Sequence, residues 1–154
     1  MIKKIIHIAD LHIRTIQMHD LYKEQFEKLL KEIGSKFLEW ADENISHNEI
    51  RIVIAGDIAH QKINISNEQL LLTSWFLREL TNYGKVVIIP GNHDFLENNT
   101  QRLDSITPVV ELLDIHSILM VKYSNIHFFP SYSLKVNTSY IQDLQSVQNI
   151  GPSS

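Results

Sequence analysis

Apolar residues in this chain follow two rhythms. Short runs over residues 3–9, 50–55 and 85–89 are rich in isoleucine and valine and are bounded by turn-formers, the pattern of strands in a parallel sheet. Between them apolar positions recur every three or four residues. Leu21, Phe26, Leu29, Leu30, Ile33, Phe37, Leu38, Trp40 and Ala41 predict a long amphipathic helix over about 20–44, with Gly34 a tolerated but costly interior residue. Ser66-Asn67-Glu68-Gln69 has the form of a capping box and opens a second helix to about residue 82, where Tyr83-Gly84 stops it. The resulting order, β-α-β-α-β, predicts an α/β domain with a parallel sheet and right-handed crossovers. Further on, Thr107-Pro108 reads as a cap with proline at the first position of a short helix to Leu113. Residues 117–121 and 126–129 predict a hairpin or two adjacent strands, and 139–148 one short helix.

Each predicted strand ends in polar chemistry. The first runs into Asp10-Leu11-His12, the second into Gly56-Asp57, and the third, through Pro90, into Gly91-Asn92-His93-Asp94. The C-terminal edge of an open parallel sheet is where ligands and catalysis collect. Taken singly, each motif is an ordinary set of turn residues. It is their arrival at one edge on three successive strands that points to a site.

Asp10 and His12 are two residues apart, and in extended chain alternate side chains point the same way, so both are expected to reach one ion. Asp57 has two carboxylate oxygens with which to bridge two ions, and Asn92 offers an amide oxygen. His93, next to Asn92, is expected to point away from the ion, toward substrate. Carboxylate, imidazole and amide together suit Mn²⁺, Mg²⁺, Fe²⁺ or Zn²⁺. Two such ions clamp a phosphoryl group and make a nucleophile of water near neutrality.

The other histidines carry less. His7, inside the first strand, is expected to be a buried, hydrogen-bonded core residue. His19 and His47 read as surface or helix-end residues, and His116 and His127 as structural or solvated. Trp40, Phe37 and Phe26 form a helix-packing face before they form a base-stacking platform.

Composition narrows the chemistry. With 154 residues, 44 % hydrophobic and 21 % charged, the chain is the size of one ordinary domain. A formal net charge of −4 exerts no global pull on nucleic acid, so a DNA partner has to be held by local patches or by metal ions. The chain has no cysteine, which excludes thiolate ligands and disulfides. No apolar run approaches the roughly 18 residues of a membrane span and the start lacks a signal-peptide pattern, so a cytoplasmic protein is expected.

These residues carry a resemblance. Asp10-Leu11-His12, Gly56-Asp57 and Gly91-Asn92-His93-Asp94 are similar to the first three motifs of the calcineurin-like metallophosphoesterases. The wider phrases Ile-Ala-Asp-Leu-His, Ala-Gly-Asp-Ile-Ala-His and Ile-Pro-Gly-Asn-His-Asp resemble the SbcD-type DNA repair nucleases. The resemblance covers about residues 3–115. It implies a β-sandwich flanked by helices, of which this chain holds mainly the first β-α-β-α-β half. It also implies two divalent ions, Mn²⁺ above all. Asp10, His12 and Asp57 would hold the first, and Asp57 and Asn92 the second. His93 would be the catalytic histidine, and His60 a further active-site histidine that places the scissile phosphate. Asp94 would support the ligands from behind. The implied partners are DNA, an SbcC-type coiled-coil ATPase and a second copy of the chain, with no membrane.

The chain also departs from that family, which completes its metal site with a later Gly-His and Gly-His-x-His. The five glycines here, at 34, 56, 84, 91 and 151, are none of them followed by histidine. The second metal position is therefore expected to be incomplete and weak. The chain is expected to be the N-terminal part of a longer enzyme, with residues 1–130 carrying the nuclease motifs and 131–154 a weakly structured segment. Two other functions fit the same motifs: a truncated interaction or dimerisation module, and an enzyme acting on small phosphodiesters or phosphomonoesters.

Overall fold

A computed structural model describes residues 1–14, 16, 18–61, 64–91, 94 and 103–121. Along them run β1 (Lys4–Ala9), α1 (His19–Asp42), a 3₁₀ turn (His47–Glu49), β2 (Ile50–Ala55), α2 (Asn67–Leu80), β3 (Lys85–Ile89), α3 (Thr107–Leu113) and β4 (Ile118–Met120). The strands form one sheet in the order β1-β2-β3-β4, and every pairing is parallel. The expected β-α-β-α-β order is present, extended by α3 and β4. The architecture is that of a parallel sheet flanked by helices, the expected α/β class.

This strand order decides where the core lies. Each crossover advances one strand in the same direction, so right-handed connections bring all three helices to the same face. Ile8, Ile52, Ile54, Val86, Ile88 and Ile118 pack there against Phe26, Leu30 and Ile33 of α1, Leu72, Phe76, Leu77 and Leu80 of α2, and Val109 of α3. Phe26 stacks on Phe76 with centroids 4.2 Å apart, joining α1 to α2. A stacked pair of this kind contributes about 0.5–1.5 kcal/mol beyond its buried area. The stripe on α1 is narrower than the sequence suggests. Phe26, Leu30 and Ile33 are buried and Phe37 and Trp40 half-buried, while Leu21, Leu38 and Ala41 are exposed. Phe37 packs edge-on against Tyr83, and Lys4 lies over the Trp40 ring, so these aromatics serve packing.

Three expectations need correcting. His7 is exposed, because Ile5, His7 and Ala9 point to the sheet face opposite the helices and β1 is an edge strand. At α2, Ser66 accepts the Gln69 backbone N–H at 3.1 Å, but the Gln69 side chain does not complete the capping box. It donates instead to the Ile13 carbonyl at 3.1 Å. Thr107 is not the cap of α3. It is the first helical residue, and Asp104 accepts the backbone N–H groups of Ile106 and Thr107 at 2.7 and 2.6 Å. Oδ1 of Asp104 takes both backbone donors and Oδ2 accepts the Thr107 hydroxyl, so the threonine side chain is itself a donor to Asp104 and caps nothing. Residues 118–120 join β3 in parallel, while 126–129, the other half of the expected hairpin or strand pair, lie outside the described residues, as do 139–148 and the expected 131–154 segment. Among the described residues no helix is long and apolar enough to cross a membrane.

Candidate metal centre

The three strands end level with one another, Ala9 beside Ala55 and Ala55 beside Ile89. Past that line the backbones stay tied. Gly56 N donates to the Ile89 carbonyl at 2.7 Å, His12 N to Asp57 O at 2.8 Å and Ile13 N to Ile58 O at 2.8 Å; a last parallel bridge joins Ile13 to Ala59. Ile13, Ile58 and Ala59, all at most 1 % exposed, form an apolar floor beneath the polar residues.

Turning the chain at this edge requires an unusual backbone. Asp10, His12 and Asp57 have φ of 54°, 46° and 47°, and Gly56 has 80°. For side chains other than glycine this left-handed region costs roughly 1–2 kcal/mol per residue. Such conformations persist only where the surroundings enforce them, and they gather at functional sites. They also change how Asp10 and His12 come together. The two residues are not in extended chain with alternate side chains aligned. Their left-handed turns bring them to one place.

Asp10, His12 and Asp57 each present a ligand atom within 4.8 Å of the others. His12 Nε2 lies 3.9 Å from Asp57 Oδ2. Asp10 is exposed and the other two are half-buried, so the cluster opens to solvent on one side. Two carboxylates and one imidazole, closely grouped and held on strained backbone, fit a divalent cation that takes oxygen and nitrogen ligands. They supply two negative charges and leave coordination positions for water or substrate.

Of the other expected site residues, His60 is exposed and stands beside the cluster. Its ring is edge-on to that of His12 with centroids 5.7 Å apart, and its backbone N–H donates to the Ile13 carbonyl at 3.0 Å. Asn92 and His93 lie outside the described residues.

Asp94 is fully buried. One oxygen accepts the Ala59 N–H at 2.9 Å and the other the Gly91 N–H at 2.7 Å, so this carboxylate joins the loop after β2 to the loop after β3. Among the described residues its hydrogen bonds go to the backbone of the ligand-bearing loops. Burial pushes its pKa up to about 6, against the pull of the Ala59, Gly91 and Ile58 backbone donors.

Tyr22 and Gln69 were not legible as site residues, yet both reach the loop after β1. The Tyr22 hydroxyl donates to the His12 carbonyl at 2.8 Å and the Gln69 amide to that of Ile13. In the sequence Tyr22 reads only as one turn before Phe26 on a helical stripe, and Gln69 as half of a cap.

The family model for calcineurin-like phosphoesterases matches residues 3–150, beyond the stretch that the motifs alone suggest. Among curated proteins, an uncharacterized protein of Acanthamoeba polyphaga mimivirus is 35 % identical over 150 residues. The alignment covers 97 % of this chain and 10 % of that protein, so the chain spans about a tenth of the length of the relative it matches.

Proposed function

The chain belongs to the calcineurin-like phosphoesterases, metal-dependent hydrolases of phosphoesters, and from that premise we propose that it cleaves phosphodiester bonds in DNA in the manner of the SbcD-type nucleases. The observation that carries this reading is the grouping of Asp10, His12 and Asp57, with the His60 ring beside His12.

Asp10, His12 and Asp57 would hold a divalent cation, which would supply positive charge for phosphoryl oxygens and lower the pKa of water toward neutrality. Asp10 and Asp57 balance its charge, and His12 adds a neutral donor. Mn²⁺ is the ion we assign to the site. A second ion would share Asp57 with Asn92. His60, exposed beside the His12 ring, is assigned the donation of a ring N–H to a non-bridging oxygen of the scissile phosphate. His93 is assigned the proton that the departing 3′-oxygen takes up as water's oxygen joins phosphorus. The phrase Gly56-Asp57-Ile58-Ala59-His60 favours DNA over other phosphoesters, since the His60 match belongs to the nuclease branch of the resemblance. The same resemblance supports an SbcC-type ATPase and a second copy of the chain as partners.

End-labelled duplex DNA and a chromogenic phosphodiester, each incubated with and without Mn²⁺, test the reading. Mn²⁺-dependent shortening of the DNA is expected, and His93→Ala should abolish it while leaving metal content unchanged. Turnover of the chromogenic ester with intact DNA would move the assignment to small phosphodiesters.

A further inference from the structure

The loop after β1 carries two of the three clustered ligands, and both sit in left-handed backbone. A short loop does not hold such a conformation unaided. His12 and Ile13 offer consecutive carbonyl oxygens, and each is taken by a side chain from a different helix. Tyr22, in the first turn of α1, donates its hydroxyl to His12 O at 2.8 Å. Gln69, in the first turn of α2, donates its amide to Ile13 O at 3.1 Å, on the oxygen that also accepts His60 N at 3.0 Å.

Both donors are firmly seated. The Tyr22 ring packs against Phe26, which stacks on Phe76 of α2. Gln69 is 2 % exposed and its backbone is fixed by the Ser66 cap. Its position favours a different bond, since the third residue after a serine cap commonly turns back to the cap's own N–H. Gln69 forgoes that bond, and its Oε1 is buried without a hydrogen-bond partner among the described residues. A buried carbonyl left unsatisfied is destabilising. A methionine or leucine of similar volume would fill the same space without that penalty, so packing alone does not account for an amide here. The contact that does is the one to Ile13.

We infer that Tyr22 and Gln69 are positioning residues for the metal centre, holding the His12–Ile13 peptides so that the His12 ring and the Asp10 carboxylate stay grouped with Asp57. The inference rests on the metal-binding reading of Asp10, His12 and Asp57. Tyr22→Phe removes one oxygen and keeps the ring contacts; Gln69→Met removes the donor together with the orphaned acceptor.

The test is calorimetric titration of MnCl₂ into the wild-type chain, Tyr22→Phe, Gln69→Met and Asp57→Asn, with the thermal midpoint of each metal-free protein measured in parallel. Each positioning variant is expected to bind Mn²⁺ about tenfold more weakly, the size of effect typical of groups that orient metal ligands. Tyr22→Phe should keep a near-wild-type midpoint, and Gln69→Met should not fall below it. Wild-type affinity in both variants, with binding lost in Asp57→Asn, would overturn the positioning role and leave the metal site standing. Weakened affinity that only tracks a matching drop in the midpoint would make the two side chains general stabilisers, which also overturns it. Wild-type affinity in Asp57→Asn would remove the metal site itself, and the inference with it.

Discussion

Gly91 lies against Asp57 so closely that a side chain at position 91 has nowhere to go. A β-carbon there would overlap the Asp57 Oδ1 and backbone nitrogen and stand 2.8 Å from its Cγ. On the neighbouring side, a β-carbon on Gly56 would meet the Gly91 Cα at 3.4 Å. The loops after β2 and β3 thus touch backbone to backbone, and Asp57 is seated where it is because residue 91 is bare.

Gly91→Ala is therefore expected to displace the Asp57 carboxylate. Forcing one carbon into so tight a contact costs about 1–3 kcal/mol. The midpoint of thermal unfolding should fall accordingly, and Mn²⁺ affinity should fall with it. An alanine variant with wild-type affinity and midpoint would show that the contact is soft.

The left-handed backbone at Asp10 carries a second expectation. Asp10 is exposed, so its side chain contributes little packing, and its φ of 54° suits glycine better than aspartate. Asp10→Gly should raise the stability of the metal-free chain by about 0.5–1 kcal/mol while weakening Mn²⁺ binding. Denaturant unfolding in EDTA reads the first effect and calorimetry the second. A loss of stability would mean that the turn is not strained.

Asp94 ties stability to pH. In the folded metal-free chain its carboxyl keeps its proton up to about pH 6, whereas the unfolded chain releases it near the ordinary 3.8. The folded state thus binds the proton more tightly. The stability this contributes is complete below about pH 4 and is lost as pH rises through about 6. The raised value corresponds to a change on the order of 3 kcal/mol. Unfolding free energies of wild type and Asp94→Asn, compared across that range in EDTA, should differ progressively less in the wild type's favour as pH rises. A difference that stays flat would place the titration elsewhere.

His60 stands next to the ligand cluster without belonging to it. His60→Ala is expected to leave Mn²⁺ affinity within about twofold and to slow duplex cleavage by about 10²-fold, the scale of misplacing a reacting group. Cleavage of a flexible single strand should suffer less, because a flexible strand can adjust its own phosphate. Equal losses on both substrates would remove the positioning role assigned to this ring.

Much of this architecture is legible in the sequence because it depends on local rules. Runs such as Val86-Val87-Ile88-Ile89 specify a strand wherever it lies, and their polar ends mark the edge at which Asp10, His12 and Asp57 meet. What could not be read depends on tertiary geometry. The exposure of His7 follows from all three helices sharing one sheet face, and a single strand's pattern does not record which face is covered. Gln69 looks like a cap until α2 is set beside Ile13, 56 residues away in the chain. The convergence of Asp10 and His12 was expected from strand alternation, whereas it comes from positive φ at both, a conformation that no residue other than glycine announces. Asp104 was overlooked at the start of α3 because its carboxylate reaches forward two and three residues, to Ile106 and to the very threonine that has the more familiar form of a cap.

Anomalous diffraction from a crystal soaked in MnCl₂, collected at the manganese edge, asks the central question directly. The account predicts a peak at bonding distance from the Asp10 and Asp57 carboxylates and the His12 imidazole. Manganese bound elsewhere, or those three side chains unchanged around a space with no peak, would contradict it.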